Sequence, residues 1–192
     1  MSYTTQNDLL LQTLLRFYNR NNNLDKMLSI ISGESRISLR IVDWFVTNYS
    51  KQNYTLYNVS DEYGNIRRFK VYIDYKSKLK AYSKKRFDPF CRWERISIPY
   101  KNNSCIETTI GQLNFFKWVL DNNIINYIEE HYDDIEQDMN HRNSTSKRKD
   151  NVDNDISYIS DINNTRKRRE ELSVSAAKNI IKEKVEIVVK FG

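Results

Sequence analysis

The sequence contains little glycine, proline, cysteine or histidine, and these shortages exclude several classes of site. Only four glycines, two prolines, two cysteines and two histidines occur among 192 residues. Glycine-rich phosphate loops, a G-x-G-x-x-G dinucleotide motif, an H-E-x-x-H metal motif and a G-x-S-x-G nucleophile elbow are all absent from the sequence. Since no catalytic constellation is present, the sequence predicts a protein that is not an enzyme and needs no cofactor.

The soft metal ligands are too widely spaced to form a recognised metal module. Zinc modules use closely paired cysteines and histidines. The candidates here are Cys91, Cys105, His131 and His141, which are separated by long and irregular gaps. We therefore predict no metal site, and two cysteines in a chain of this length do not indicate a disulfide framework.

Long hydrophobic runs are also missing. No apolar stretch approaches the roughly 20 residues that a membrane span requires, and the first residues show neither the basic start nor the cleavage site of a signal peptide. Hydrophobic residues make up 39% and charged residues 29% of the chain. We expect an intracellular protein in a reducing compartment, without membrane contact and with part of the chain unfolded.

Positive charge is concentrated in residues 66–101, here called the basic segment. It holds twelve lysines and arginines against three acids, a net charge of +9, whereas the whole chain carries +6. Eight aromatic residues lie among these charges. Cations that neutralise phosphates, mixed with rings that stack on bases, are typical of nucleic-acid surfaces.

Residues 76–95 are the best candidates for contact with nucleic acid, because Lys76, Lys80, Lys84 and Lys85 can share one side of a short helix. The predicted phosphate contacts are Lys76, Lys78, Lys80, Lys84, Lys85, Arg86, Arg92 and Arg95, and the predicted stacking residues are Tyr82 and Trp93. Two other interpretations stay open. The segment could bind an acidic protein surface, or it could be a solvated face whose aromatic residues belong to the core. The sequence does not distinguish DNA from RNA.

Hydrophobic periodicity predicts an α+β domain over residues 1–140. Helices are predicted over residues 8–18, 24–31, 38–50, 77–85 and 112–139, with a kink or split of the last helix at 121–123. Two antiparallel hairpins are predicted, one from strands 54–60 and 66–75 and the other from strands 93–100 and 105–110. The long last helix is expected to cover one face of this sheet, and Phe87, Phe90 and Trp93 to pack around the turn at Asp88-Pro89.

The predicted helix 112–139 has the opposite charge to the basic segment. It carries seven acids and a single lysine, Lys117, a net charge of −6. Neighbouring carboxylates on a helix fan outward and do not converge on a metal ion, so a solvated acidic face is the simpler interpretation. A functional alternative is that the acidic helix of one copy docks on the basic segment of another.

The remainder of the chain is predicted to be a tail. Residues 141–169 are polar and charged without apolar periodicity, and they are predicted to form a disordered basic linker. Its basic clusters, at 147–149 and 166–169, are compatible with a nuclear signal, a flexible arm on nucleic acid or a solubilising linker. Residues 170–192 are predicted to form a helix and a strand, with Val185, Ile187, Val189 and Phe191 on one face. A lone strand is unstable, so it either rejoins the sheet of its own chain or pairs with another copy, giving a homo-oligomer.

Three stretches of the sequence resemble a viral protein family. They are residues 40–51 (RIVDWFVTNYSK), 78–96 (KLKAYSKKRFDPFCRWERI) and 108–129 (TTIGQLNFFKWVLDNNIINYIE). The resemblance is to uncharacterised proteins of nucleocytoplasmic large DNA viruses, particularly giant viruses of protists. It implies a place in a virus factory of the host cytoplasm or in the virion, and it transfers no functional residue. A nuclear location stays open because of the basic clusters at 147–149 and 166–169.

These observations lead to one leading hypothesis and one alternative. The leading hypothesis is a non-enzymatic nucleic-acid-binding protein of a large DNA virus, which holds phosphates on the basic segment. The alternative is a structural or scaffold protein of the virion or virus factory. Such a scaffold would self-associate through the basic segment, the acidic helix and the terminal strand.

Overall fold

The protein is built from helices packed around one central helix, together with two small antiparallel sheets. The structure, a computed structural model, describes residues 5–60, 64–101, 104–153 and 182–184. The helices are α1 (Gln6–Tyr18), α2 (Asn23–Ser32), α3 (Leu39–Trp44) with a π-helical continuation (Phe45–Tyr49), α4 (Ser50–Gln52), α5 (Val71–Arg86), α6 (Ile110–Asp121), α7 (Ile124–Glu130) and α8 (Tyr132–Asp153). The strands are β1 (Leu56–Ser60), β2 (Ile66–Lys70), β3 (Arg95–Pro99), β4 (Ser104–Thr109) and β5 (Lys182–Lys184). The predicted α+β class is confirmed.

Both predicted hairpins form, but they belong to two separate sheets instead of one. β1 pairs antiparallel with β2, placing Leu56 opposite Lys70. β3 pairs antiparallel with β4, placing Ile98 opposite Ile106 as the alternation of the two strands indicates. Because the hairpins do not meet edge to edge, no single sheet is available for one long helix to cover.

The described part of the terminal strand pairs within its own chain. β5 lies antiparallel to β4, with Ser104 opposite Lys184, so β4 is the middle strand of its sheet. This favours return to the chain's own sheet over exchange between copies. The residues predicted to mediate oligomerisation, Val185 to Phe191, lie outside the described residues, as do residues 154–181 of the predicted linker and terminal helix.

α6 is the central helix because it is apolar on nearly all sides. Leu113, Phe115, Phe116 and Val119 are fully buried, and α6 packs against α1, α5, α7 and β4. The Tyr18 hydroxyl donates a hydrogen bond to Leu113 O at 2.6 Å and ties α1 to this helix. Burial raises the pKa of Tyr18 well above its ordinary value, so the hydroxyl stays protonated and keeps donating.

The long helix predicted over residues 112–139 is divided into α6, α7 and α8. The predicted split is confirmed at Asn123, whose φ of 52° is left-handed, a conformation that asparagine tolerates better than most residues. A second break, at His131, was not predicted. α8 then continues to Asp153, so helical backbone extends past residue 139, where the helix was predicted to end, into the first part of the predicted linker 141–169.

The strand predicted over residues 66–75 is wrong after residue 70, where α5 begins. Alternating apolar residues suggested a strand, but Val71 and Tyr75 are also four residues apart, which is a helical spacing. Val71 is buried while Ile73, which a strand would bury on the same face, is 59% exposed. α5 thus begins six residues before the predicted helix 77–85 and adds Lys76 to the helical part of the basic segment.

Gly111 allows the start of α6 to lie against the backbone of the basic segment. A Cβ atom at this position would lie 2.9 Å from Lys85 O and 3.0 Å from Cys91 Cβ. We expect Gly111→Ala to lower the free energy of unfolding by about 1–3 kcal/mol, because overpacking outweighs a helix-propensity gain of at most about 1 kcal/mol. Urea denaturation checks this, with Ser77→Ala on the exposed side of α5 as the control. A Gly111→Ala protein as stable as wild type would contradict the close approach.

Candidate nucleic-acid interface

Hydrogen bonds from the start of α6 hold the second half of the basic segment in place. The buried amides of Gln112 and Asn114 donate to Pro89 O at 3.0 Å and to Arg86 O at 2.8 Å. Asp88 N donates to the carbonyl of residue 111 at 3.3 Å. Because leaving a buried polar group unpaired costs about 1–3 kcal/mol, these bonds fix the path of the chain after α5.

The aromatic side chains around the predicted turn differ in exposure: Phe87 is buried, whereas Trp93 is exposed. Phe87 is buried, with ring centroids 5.5 Å from Phe115 and 5.6 Å from Trp118. Phe90 is half-buried, and its backbone N–H donates to the Asp88 carboxylate at 2.8 Å, which confirms the turn. Trp93 is 70% exposed, so the expectation that it packs around this turn is wrong, whereas its indole is accessible for stacking.

The lysines of α5 are divided between two sides of the helix. Lys76 and Lys80, which are four residues apart, lie on the exposed side. Lys78 lies on the side that faces α6, is half-buried and lines a cleft between the two helices. These lysines therefore present charge on both flanks of α5.

A break in α5 separates the last two lysines from the others. Ser83 has a φ of 62° and a ψ of 168°, which is not helical. Lys84 and Lys85 follow it and are exposed, so the prediction that they share a helical side with Lys76 and Lys80 is wrong. The Cys91 thiol donates to Lys85 O at 3.5 Å, which places the loop leading to Trp93 against this turn.

Six of the eight predicted phosphate contacts, here called the cation set, have no acidic partner within 4.0 Å in the described part of the chain. The cation set comprises Lys76, Lys78, Lys80, Lys84, Lys85 and Arg92. The other two predicted contacts are already bound. Arg86 is half-buried and donates to Gln6 Oε1 at 2.9 Å. Arg95 pairs with Glu107 at 2.8 Å, but exposed pairs contribute only about 0–1 kcal/mol, so this one competes weakly with a phosphate.

The cleft beside Lys78, here called the α5–α6 cleft, has a volume of about 280 Å³. Its walls combine cations, carboxylates, amides and aromatic rings. They are formed by Arg67, Asp74, Lys78, Tyr82, Phe87, Asn114, Lys117, Trp118, Asp121 and Asn122. The predicted stacking residue Tyr82 is therefore half-buried in a cleft, unlike the exposed Trp93.

A hydrogen-bond network fixes the polar groups of the α5–α6 cleft. Trp118 Nε1 donates to Asp74 at 2.6 Å, and the Arg67 guanidinium donates to the Asn122 side-chain oxygen. The Tyr57 hydroxyl donates to Asn122 O at 2.8 Å. Burial raises the pKa of Tyr57 well above its ordinary value, and the positive charge of Arg67 opposes this shift only partly. The Tyr57 hydroxyl therefore stays protonated at neutral pH and keeps donating to Asn122 O.

Sequence reasoning missed Arg67 and Lys117 as cleft residues. The alternation of β2 could have found Arg67, because it shares the inward face with the buried Phe69. Lys117 was the only cation in a strongly acidic predicted helix, and it pairs with Asp121 one turn later. Its ammonium lies 4.7 Å from the centroid of the Phe17 ring of α1, and nothing in the local sequence indicates that Lys117 also lines a cleft with residues of α5.

Two further cations extend the exposed positive surface. Arg68 and Lys70 lie on the outer face of the β1–β2 hairpin, opposite Asn58 and Leu56, and both are exposed. Lys70 immediately precedes α5. The outer face of this strand therefore continues the positive charge of α5.

The acidic side chains after α6 are partly used within the chain. Asp133 pairs with Arg36 at 2.8 Å. Asp138 accepts from the indole N–H of Trp44 at 2.8 Å and from Arg142 at 2.9 Å. These contacts join α8 to the N-terminal helices, so part of the acidic charge serves the fold.

Three structural observations concern other classes of site. Across the described ranges, no group of three or more histidine, cysteine, aspartate or glutamate side chains is arranged to hold a metal ion. The thiols of Cys91 and Cys105 are not joined in a disulfide. None of the helices that the structure describes combines the length and apolar character needed to cross a membrane.

Comparison with known proteins places this α+β chain among proteins of giant viruses. An uncharacterised protein of Acanthamoeba polyphaga mimivirus is 48% identical over 133 residues, which is 67% of this chain and 50% of that protein. The chain thus spans about half the length of the curated relative it matches. It belongs to the family of unknown function DUF7197, whose model matches residues 2–190. No solved structure matches the chain. The predicted membership of a giant-virus family is confirmed.

Proposed function

We propose that the protein is a non-enzymatic nucleic-acid-binding protein of a giant virus. The observation that supports this most is the cation set, whose six side chains lack an acidic partner among the described residues and accompany the exposed Trp93. A phosphate can bind these cations without first breaking an ion pair. The indole next to them offers a face on which a base can stack. We propose a virus factory or the virion as the place where viral DNA and transcripts meet this surface.

Salt dependence tests the proposed function directly. Each neutralised phosphate releases condensed counterions, so six contacts predict a slope of about −4 to −5 for log K against log salt concentration. Affinity should then fall by about 250- to 1,000-fold between 50 and 200 mM salt. Fluorescence anisotropy with labelled DNA and RNA oligonucleotides measures the slope and compares the two nucleic acids. Binding that does not weaken with salt would contradict phosphate contact through the cation set.

A scaffold function is the second candidate, and a separate observation favours it. Glu129, Glu130 and Asp134 are exposed, and in the described part of the chain none of them has a cationic partner within 4.0 Å. They could dock on the basic segment of a second copy. Sedimentation velocity at low and high salt separates the two functions. An oligomer that dissociates at high salt supports the scaffold, whereas a monomer under both conditions contradicts it.

A further inference from the structure

We propose that the α5–α6 cleft holds one unstacked nucleotide of a single-stranded nucleic acid. This inference rests on the proposed function, because the neighbouring phosphates of the strand lie on the exposed lysines of α5. It goes further by naming the form of nucleic acid that the protein prefers. It also gives a role to cleft residues outside the cation set.

The cleft contains both cationic and carboxylate side chains, a combination that fits a nucleotide better than a simple anion. Lys78 has no acidic partner among the described residues, and Arg67 is held by the amide oxygen of Asn122. Asp74 and Asp121 lie in the same walls. Each already accepts one hydrogen bond, Asp74 from Trp118 and Asp121 from Lys117, and its remaining lone pairs accept further donors, which a free phosphate does not provide. A nucleotide offers its phosphate to the cations and the N–H groups of its base to the carboxylates.

Tyr82 provides a ring against which a base can lie. It is half-buried and nearly parallel to Phe87, with an interplanar angle of 22° and centroids 6.2 Å apart. Phe87 and Trp118 are buried beneath it and pack edge to face, with centroids 5.6 Å apart. Because this packing fixes the tyrosine ring before a ligand arrives, stacking costs little further side-chain entropy.

The size of the cleft favours a single strand. A volume of about 280 Å³ is just below the range of small-molecule sites, about 300–1,000 Å³, so it can take one nucleotide and no more. A base within a duplex is stacked between its neighbours and cannot enter a recess, whereas an unstacked base can. The flexible backbone of a single strand can also pass from Lys76 and Lys80 on one flank of α5 to Lys78 on the other.

The first experiment compares single-stranded and duplex ligands of the same sequence. Fluorescence anisotropy is measured with a labelled oligonucleotide of about 15 nucleotides, which lies within known single-strand site sizes. We expect Tyr82→Ala to weaken single-strand binding about tenfold and duplex binding less than twofold, and Tyr82→Phe to restore single-strand affinity. Tyr132→Ala, which removes a half-buried tyrosine of α8, is the matched control. Equal losses for both ligands would overturn the proposal.

The second experiment needs no change in the cleft. Trp118 donates its indole N–H to Asp74, and the chain has only three tryptophans. NMR spectra of Trp93→Phe and Trp44→Phe therefore identify the Trp118 signal by elimination. We expect this signal to shift when the single-stranded oligonucleotide is added, and a free mononucleotide to shift it only at far higher concentration.

The possible outcomes separate this inference from the proposed function. Salt-dependent binding without a shift of the Trp118 signal overturns the cleft proposal and leaves the proposed function standing. A shift with the mononucleotide but not with the strand assigns the cleft to a free nucleotide and overturns the proposal as stated. Absence of any binding overturns both.

Discussion

Reversing three charges on the basic segment is expected to lower the affinity for nucleic acid by at least about 100-fold at low salt. The variant is Lys80→Glu, Lys84→Glu and Lys85→Glu, three exposed members of the cation set. Each substitution removes an attraction of about 1 kcal/mol for a phosphate about 4 Å away in water and adds a repulsion of similar size. Three such changes amount to at least about 3 kcal/mol, or about 100-fold in affinity. Fluorescence anisotropy at low salt measures the change.

A matched control separates a local site from a general effect of net charge. Arg16, Arg20 and Lys26 are exposed on α1, the turn after it and α2. Reversing them changes the net charge of the protein by the same amount. The two triple variants are compared at 0.1 M salt, where interactions between exposed charges are screened beyond about 10 Å, and there we expect this control to weaken binding less than fivefold. Equal losses for the two triple variants would contradict a local phosphate-binding surface.

Burial could be predicted from the sequence for residues whose hydrophobic spacing matches the helix or strand in which they lie. Leu14 and Tyr18 are four residues apart on α1 and both are buried, as a helical period requires. Ile98 faces Ile106 across the second hairpin. The exposed cations of the basic segment follow from composition alone, because charged side chains seldom lie in a core without a partner.

The α5–α6 cleft could not be predicted in this way. Its two walls, α5 and α6, are separated in the sequence by a loop and the β3–β4 hairpin. Their contact depends on Phe87, whose ring fills the space between the two helices. Lys78 and Tyr82 were predicted on a short helix over residues 77–85, but nothing in the sequence indicated which element that helix would pack against. Only tertiary packing, which favours the helical alternative for Val71 and Tyr75, brings these side chains to face Trp118.

Truncation of Phe87 should destabilise the protein strongly, because its ring is buried between α5 and α6. Its ring is 1% exposed and packs with the rings of Tyr75, Tyr82, Phe115 and Trp118 at centroid distances of 5.5–6.2 Å. Burial of this kind gives a loss of about 3–5 kcal/mol for Phe→Ala, through lost transfer free energy and the cavity left behind. Since small domains have a total stability of about 5–15 kcal/mol, Phe87→Ala should shift the urea midpoint strongly.

Trp93→Ala in the same loop distinguishes stability from binding. Because Trp93 is 70% exposed, its truncation should change the free energy of unfolding by no more than about 0.5 kcal/mol. It should nevertheless weaken nucleic-acid binding about tenfold if a base stacks on the indole. A small loss of stability for Phe87→Ala would show that the loop is not anchored between α5 and α6. A large loss for Trp93→Ala would show that the indole belongs to the core and is not available to a base. The two aromatic residues of this loop are therefore expected to give opposite results, because the ring of Phe87 is packed between α5 and α6 and the indole of Trp93 is exposed.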